Sequence, residues 1–423
     1  NDLFRYCTKV KDEVIKMKLI VNSIEKKYRN SHIQFYQYLH QYPELSYNEK
    51  NTSNFIINIL KKLHFDEIES NIGGYGVVGI LKGTMPGPVI ALRADMDALG
   101  IKENTGSPVA SRNDGIMHAC GHDAHMAILL GAAHVLCEMR DDIAGTIKFI
   151  FQPAEEKPPL GGASLMIDAG VLEKPKVDAM LGLHVWPHLK IGTIGIKEGA
   201  VSSSSDHLYF TINGKTSHGA IPEEGIDAIV VSAAVISAIQ NIVSRRISPF
   251  DPVVITLGKI HGGEGYNIIS DKVYVEGTVR SFSEKVRLKL PELISQTIKN
   301  TVAAFGATAD VHYDKGCPSV MNDSYITEIC KDASNEILGH ESLCPLSPIP
   351  AIGEDFAFFA REVPSVFAYL GCCPRNIPVK NMSSLHSSEF LPDKNTISVG
   401  VRYITYAALK LLEKLSLFYN GLK

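Results

Sequence analysis

Residues 124–151, AHMAILLGAAHVLCEMRDDIAGTIKFIF, place a long apolar helix shortly before a short apolar run. Ala124–Glu138 has the length and composition of a strong helix, and Ile147–Phe151 (IKFIF) reads as a buried strand. Outward from this stretch, Val89–Leu92 (VIAL) is another run of the buried-strand type, and Ala179–Leu183 leads into a further strand end. Asn51–Leu63 is helix-like, with Ile56, Ile57, Leu60 and Leu63 on one stripe. Strands alternating with helices of this length predict an α/β fold with a mixed, largely parallel sheet.

A chain of 423 residues exceeds the usual size of one core, so two domains are expected. Residues 1–30 carry many charges and read as a helical lead-in. Around 199–206 the texture turns small and polar (GAVSSSSD), a crossing between domains. The segments that follow predict strand (Leu208–Ile212), helix (Ala228–Val243), strand (Val253–Ile260), strand (Lys272–Arg280), helix (Val286–Phe305) and strand (Ala309–Tyr313). This β-α-β-β-α-β order suits a compact inserted α+β domain. Beyond Gly316 the α/β texture resumes and ends in a helix over Ile397–Lys414. The parse is a catalytic domain over 1–199 and 317–423, interrupted by a smaller one over 200–316.

A formal net charge of −4 gives no electrostatic argument for nucleic acid or an anionic membrane as partner. No apolar stretch is expected to reach the ~18–20 residues of a membrane span. The eight cysteines are scattered apart from Cys372-Cys373, so a reducing, cytoplasmic compartment is expected rather than a disulfide framework.

Chemistry concentrates in MHACGHDAH (117–125), just before the predicted helix. Cys120 and His122 flank Gly121, so one turn can aim a sulfur and an imidazole at a single ion of the zinc type. His118 and His125 are equally compatible with supporting or structural roles. The plainer alternative is a helix N-terminus capped by Asp123 with incidental histidines. At the end of the IKFIF strand, Glu155 and Glu156 stand where α/β proteins place their sites. Adjacent side chains diverge, so one carboxylate can bind metal while its neighbour acts as general base; a solvated acidic loop is the alternative. His184, beside the only tryptophan Trp186, and His386 each read alone as packed histidines or as ligands. Taken jointly, Cys120, His122, Glu156, His184 and His386 fit a site of two ions bridged by a thiolate. In the inserted domain, His218 lies on a small-residue turn and suits an oxyanion donor. Asn267 and Arg280 suit a substrate carboxylate, with a surface ion pair the alternative for Arg280.

The ordered set RADMDAL (93–99), MHACGHDAH (117–125), FQPAEE (151–156), GLHVWP (182–187), SHGA (217–220), GTVRSF (277–282), GEDFA (353–357) and LHSSEF (385–390) resembles the M20 metallopeptidase superfamily. LHQYPELSYNE (39–49) is similar to the N-terminal motif of its N-acyl-amino-acid amidohydrolase branch, which includes hippurate and auxin-conjugate hydrolases. The resemblance, from about residue 32 to 415, implies a metal-dependent amidohydrolase with a di-metal catalytic domain and a lid that also forms a homodimer. Cys120, His122, Glu156, His184 and His386 fall on ligand positions, Glu155 on the general base, and Asp95 and Asp97 on an acidic pair that orients the ligands. His218 falls on the lid histidine that completes the partner subunit's site, and Asn267 and Arg280 on contacts to the substrate carboxylate. The implied cofactors are two divalent ions, zinc or manganese foremost, with cobalt and nickel suited to the same donors. The implied substrate is a small N-acyl amino acid, with no nucleic acid or membrane as partner. Dipeptidase, carboxypeptidase or desuccinylase activity is the near alternative, and a non-catalytic metal- or ligand-binding protein the distant one. The sequence departs from the family pattern at Glu223, where a histidine usually follows the proline, at Ser270 in place of a proline, and at Ser203-Ser204-Ser205 in place of a Met-Ala-Ala-like run. All three lie around the lid and cleft and bear on specificity.

Overall fold

The computed structural model describes residues 2–157 and 161–421. Helices α1 (Asp2–Gln41) and α2 (Lys50–Lys62) precede strands β1 (Glu67–Ile72), β2 (Gly76–Lys82) and β3 (Met85–Asp95). Then come α3 (His122–Glu138), β4 (Ala144–Gln152), β5 (Ala179–Lys190), β6 (Ser205–Asn213), α4 (Ala228–Asn241), β7 (Val253–Gly262) and β8 (Lys272–Ser281). The chain continues through α5 (Leu290–Ala304), β9 (Thr308–Cys317), α6 (Ser324–Leu338), α7 (Phe356–Glu362), β10 (Ser365–Cys373) and α8 (Asn395–Gly421).

The larger sheet runs β1-β2-β4-β3-β5-β10 and is completed by the short strands Ile194–Gly195 and Leu343–Cys344. Its four central strands, β4, β3, β5 and β10, are parallel neighbours, while β1 and β2 are antiparallel at one edge. Parallel strands covered on both faces need apolar residues on both, which is why VIAL and IKFIF show no alternation. Side chains from α1, α3, α6 and α8 pack on one face. The other face is covered by α7 and the short helix Ala163–Asp168. Helix α3 is buried almost all round, lying between the sheet, α1 and α8, so its apolar surface is not confined to a stripe.

The smaller sheet, β7-β8-β6-β9, is antiparallel throughout. Strand β6 alternates strictly, with Leu208, Phe210 and Ile212 buried beneath α4 and α5. The predicted helix over 286–305 is broken: a short turn, Glu284–Arg287, precedes α5, whose first turn contains Pro291. Proline lacks the N–H and clashes with the preceding turn, so it starts a helix rather than continuing one. One expectation fails outright. Ala228–Arg246 is long and apolar enough, at 19 residues, to cross a membrane. One side of it, with Val231, Val235, Ile239 and Ile242, is buried against the smaller sheet, while Ile229 and Val230 on the same helix are exposed.

Candidate metal centre

The C-terminal ends of the parallel strands carry the chemistry, as expected for an open α/β sheet. Asp95 ends β3, Gln152 ends β4 just before Glu155 and Glu156, and His184 lies within β5. Gly121, with φ +86°, caps α3 in the left-handed conformation and separates Cys120 from His122. His386 arrives on the loop after β10, itself at φ +63°, its N–H donating to the Ala119 carbonyl.

These elements bring five of the expected donors together. The ligand atoms of Cys120, His122 and His184 lie within 4.8 Å of one another, and so do those of Cys120, Glu156 and His386. The Cys120 sulfur therefore belongs to both groups. It lies 3.4 Å from His184 Nε2, while Glu156 Oε1 lies 3.1 Å from His386 Nε2. The imidazoles are set by their second nitrogens. His184 Nδ1 is 2.7 Å from the Val185 carbonyl and His122 Nδ1 is 2.8 Å from the Asp97 carbonyl, and a carbonyl only accepts. Each Nδ1 thus carries the proton in the neutral ring, leaving Nε2 a lone pair directed into the cluster. Burial and His125 hold His184 well below the usual histidine range. Burial opposes charging of His122, yet Asp95 and Asp97 outweigh it and push that ring up to about 10. A cation at Nε2 answers the same negative field. Burial, Glu156 and Glu155 push the Cys120 thiol well up, so a bound cation is what makes it a thiolate.

His125 is no ligand. Its Nε2 accepts the Val185 N–H at 2.9 Å and its Nδ1 donates to Asp95 at 2.6 Å, so both nitrogens are committed. His118 is buried without a partner for either nitrogen among the described residues. Asp123 lies inside the first turn of α3, with Gly121 at the N-cap; one carboxylate oxygen accepts the Ala124 N–H at 2.8 Å and the other pairs with His40 at 2.6 Å. Asp97 accepts the N–H groups of Glu155 and Glu156, each at 3.0 Å, and the Ser46 hydroxyl at 2.7 Å. It thereby fixes the acidic turn, which is partly buried rather than a solvated loop. Burial, Glu354 and Glu156 raise Glu155 well above the usual carboxylate range.

Several participants went unassigned in the sequence. Arg93, fully buried, donates to Asp95 (2.8 Å), Gln152 (2.8 Å) and Asp355 (2.9 Å), and pairs with Glu354 at 3.1 Å. It ties the ends of β3 and β4 to α7. Its signal was a cation in an otherwise apolar strand. Glu49, from the N-terminal motif, accepts the Ala154 N–H at 2.8 Å, and burial raises it to about 7.

Arg280 makes no surface ion pair among the described residues; one of its nitrogens is buried without a partner. It lines a cavity of about 390 Å³ together with Cys120, Glu155, Glu156, His184 and His386. His218 and Asn267 do not line it. They adjoin each other on an exposed ribbon of the smaller sheet's domain, where His218 pairs with Ile268 and the Gly219 N–H donates to the Asn267 carbonyl.

Thiol, imidazole and carboxylate side chains gathered at the strand ends of an α/β sheet are the donor types of a metal centre. The chain belongs to peptidase family M20/M25/M40, whose sequence model matches residues 91–410. It is 39% identical over 378 residues to the N-acetyl-L-cysteine deacetylase of Bacillus subtilis (strain 168), covering 89% of this chain and 87% of that protein. It is 37% identical over 385 residues to thermostable carboxypeptidase 1 of Saccharolobus solfataricus, covering 90% and 95%. A solved Bacillus subtilis structure, described as a dinuclear metal-binding peptidase from the M20 family, superposes with a TM-score of 0.80 at 34% identity, covering 92% of this chain and 99% of that one.

Proposed function

We propose that this amidohydrolase cleaves the amide bond of N-acyl amino acids, releasing a carboxylic acid and a free amino acid. Cys120, His122, Glu156, His184 and His386 would hold two divalent ions. The fit rests on the donors themselves: His122 Nε2 is buried and lacks a hydrogen-bond partner among the described residues. Sulfur and imidazole favour zinc, and manganese, cobalt or nickel suit the same mixed set. When bound, the ions polarise the amide carbonyl and acidify the attacking water.

The chain's residues do the rest. Glu155, raised by burial and neighbouring carboxylates, accepts the proton from that water and returns it to the leaving amine. Asp95 and Asp97 hold the ligand imidazoles and the acidic turn in place. His218 accepts the Ala220 N–H at its Nδ1, so the neutral ring presents Nε2–H outward as an oxyanion donor. Since His218 and Asn267 do not line their own chain's cavity, a second copy brings them, through a homodimer built on the segment 200–316, a lid to the catalytic domain over 1–199 and 317–423. Arg280 receives the substrate carboxylate.

One observation carries this reading: Cys120 is common to two donor groups, with the Glu155 carboxylate grouped beside His122 and Glu156. Replacing Glu155 with Gln should leave two ions per chain by elemental analysis and slow N-acetyl amino acid hydrolysis by roughly 10²- to 10⁴-fold. Undiminished turnover in that variant would remove Glu155 as base. The carboxypeptidase named among the relatives favours peptide cleavage as the second reading; a panel of N-acyl amino acids and dipeptides separates the two.

A further inference from the structure

Three strands of the smaller sheet end side by side at the metal cavity. Cys317 on β9 pairs directly with Ser205 on β6. On the other flank, Val279 of β8 faces Asp206, and Ser204 and Ser281 exchange hydrogen bonds, which sets Arg280 opposite Ser205. Arg280, Ser205 and Cys317 therefore form a cross-strand row on one face of the sheet. The neighbouring Asp206 points the other way, buried beneath Arg287 and the Tyr313 hydroxyl. All three members of the row line the cavity that holds the metal donors.

This row is built to meet an anion. Arg280 Nη1 is buried with no acceptor, and the Ser205 hydroxyl beside it reaches none among the described residues. Gly353 presses against both: a Cβ there would lie 2.9 Å from Ser205 Cβ and 3.2 Å from Arg280 Nη1. The next residue, Glu354, has a carboxylate oxygen within 4.8 Å of one of Glu155. Consecutive residues thus join the row to the base, and row and base line the same cavity.

We infer that Ser205 is a specificity-determining residue whose hydroxyl, with Arg280, receives the α-carboxylate of the substrate. The inference rests on the amidohydrolase reading above and narrows it to amides whose amine portion carries a free carboxylate on the adjacent carbon. A carboxylate has lone pairs for more donors than one guanidinium edge supplies, and a hydroxyl at the flank adds one.

The test compares wild type, Ser205→Ala and Ser205→Thr on an N-acetyl α-amino acid and on the same compound with its carboxylate converted to a carboxamide. Ser205→Ala should raise KM for the acid roughly 10- to 100-fold, the scale of one hydrogen bond to a charged group. Its kcat and metal content should stay at wild-type values, its kcat/KM on the carboxamide, which keeps one neutral acceptor oxygen, should fall by less than about 10-fold and by less than on the acid, and Ser205→Thr should restore KM on the acid. Equal losses on both compounds, or none on the acid, overturn the role of Ser205. Wild type that hydrolyses neither compound, nor any of a panel of N-acyl amino acids, overturns the amidohydrolase reading instead, a result distinct from either outcome for the variant.

Discussion

At the scale of single residues, the centre depends on backbone conformations that few side chains tolerate. Gly121 sits at φ +86°, and a Cβ there would come within 2.4 Å of Val185 Cγ2. Left-handed geometry costs an ordinary residue about 1–2 kcal/mol before that clash is counted. Gly121→Ala should therefore lower the melting temperature by several degrees and weaken metal binding, because the turn aims Cys120 and His122 together. Thermal unfolding and metal titration measure the two effects, and a variant with wild-type values in both would show that the turn has slack. Ala154 and His386 hold left-handed backbones at φ +55° and +63° without glycine, each tethered by its own N–H. Strain of this kind persists where the surroundings over-determine the chain. The donors were legible in the sequence because sulfur, imidazole and paired carboxylates at strand ends are unusual as residue types. Their partners were not. Arg93 and Asp355 lie 262 positions apart, beyond any local pattern, and His118 and His125 differ only in what the fold sets against their nitrogens.

Among elements, the parallel sheet was legible in its apolar runs, since strands covered on both faces show no alternation. The ends were less so. Strand β3 extends over Met85–Asp95, well beyond VIAL, because hydrogen bonding to β4 rather than composition fixes where it starts and stops. The length of α1 also exceeds the charged lead-in, reaching Gln41 just before Pro43. How α1 docks has a pH consequence. His32 on α1 is buried against His134 of α3, and burial foremost, with His134, lowers it to about 4. An unfolded histidine titrates near 6.5, so below that pH the unfolded chain binds a proton that the folded chain refuses until about pH 4. The contribution to stability is whole above pH 6.5 and drains as pH falls through that window, by roughly 2 kcal/mol at pH 5. His32→Phe removes the proton site while keeping a ring. Denaturant unfolding at pH 7 and pH 5 should show a smaller loss for the variant than for wild type; an identical pH dependence would mean that His32 is not buried uncharged.

For the whole molecule, the open matter is how His218 meets the chemistry. His218 and Asn267 share an exposed ribbon, while the cavity with Arg280 and the metal donors is lined without them. Ile260 at the end of β7, Tyr266 on the loop that follows and Ile268 on the ribbon are all exposed, apolar surface that a second chain would cover. If each site borrows His218 from its partner in a symmetric dimer, the two defects His218→Ala and Glu155→Gln fall on opposite sides of one interface. Each variant alone should be nearly inactive on an N-acetyl amino acid. Unfolded together, refolded with metal and assayed, they should regain activity. Random pairing makes about half the dimers mixed, and each mixed dimer keeps one site with a native Glu155 and a native borrowed His218, so roughly a quarter of wild-type activity should return. A mixture no more active than the sum of its components, with mixed dimers verified by mass, would mean that His218 serves its own chain or none.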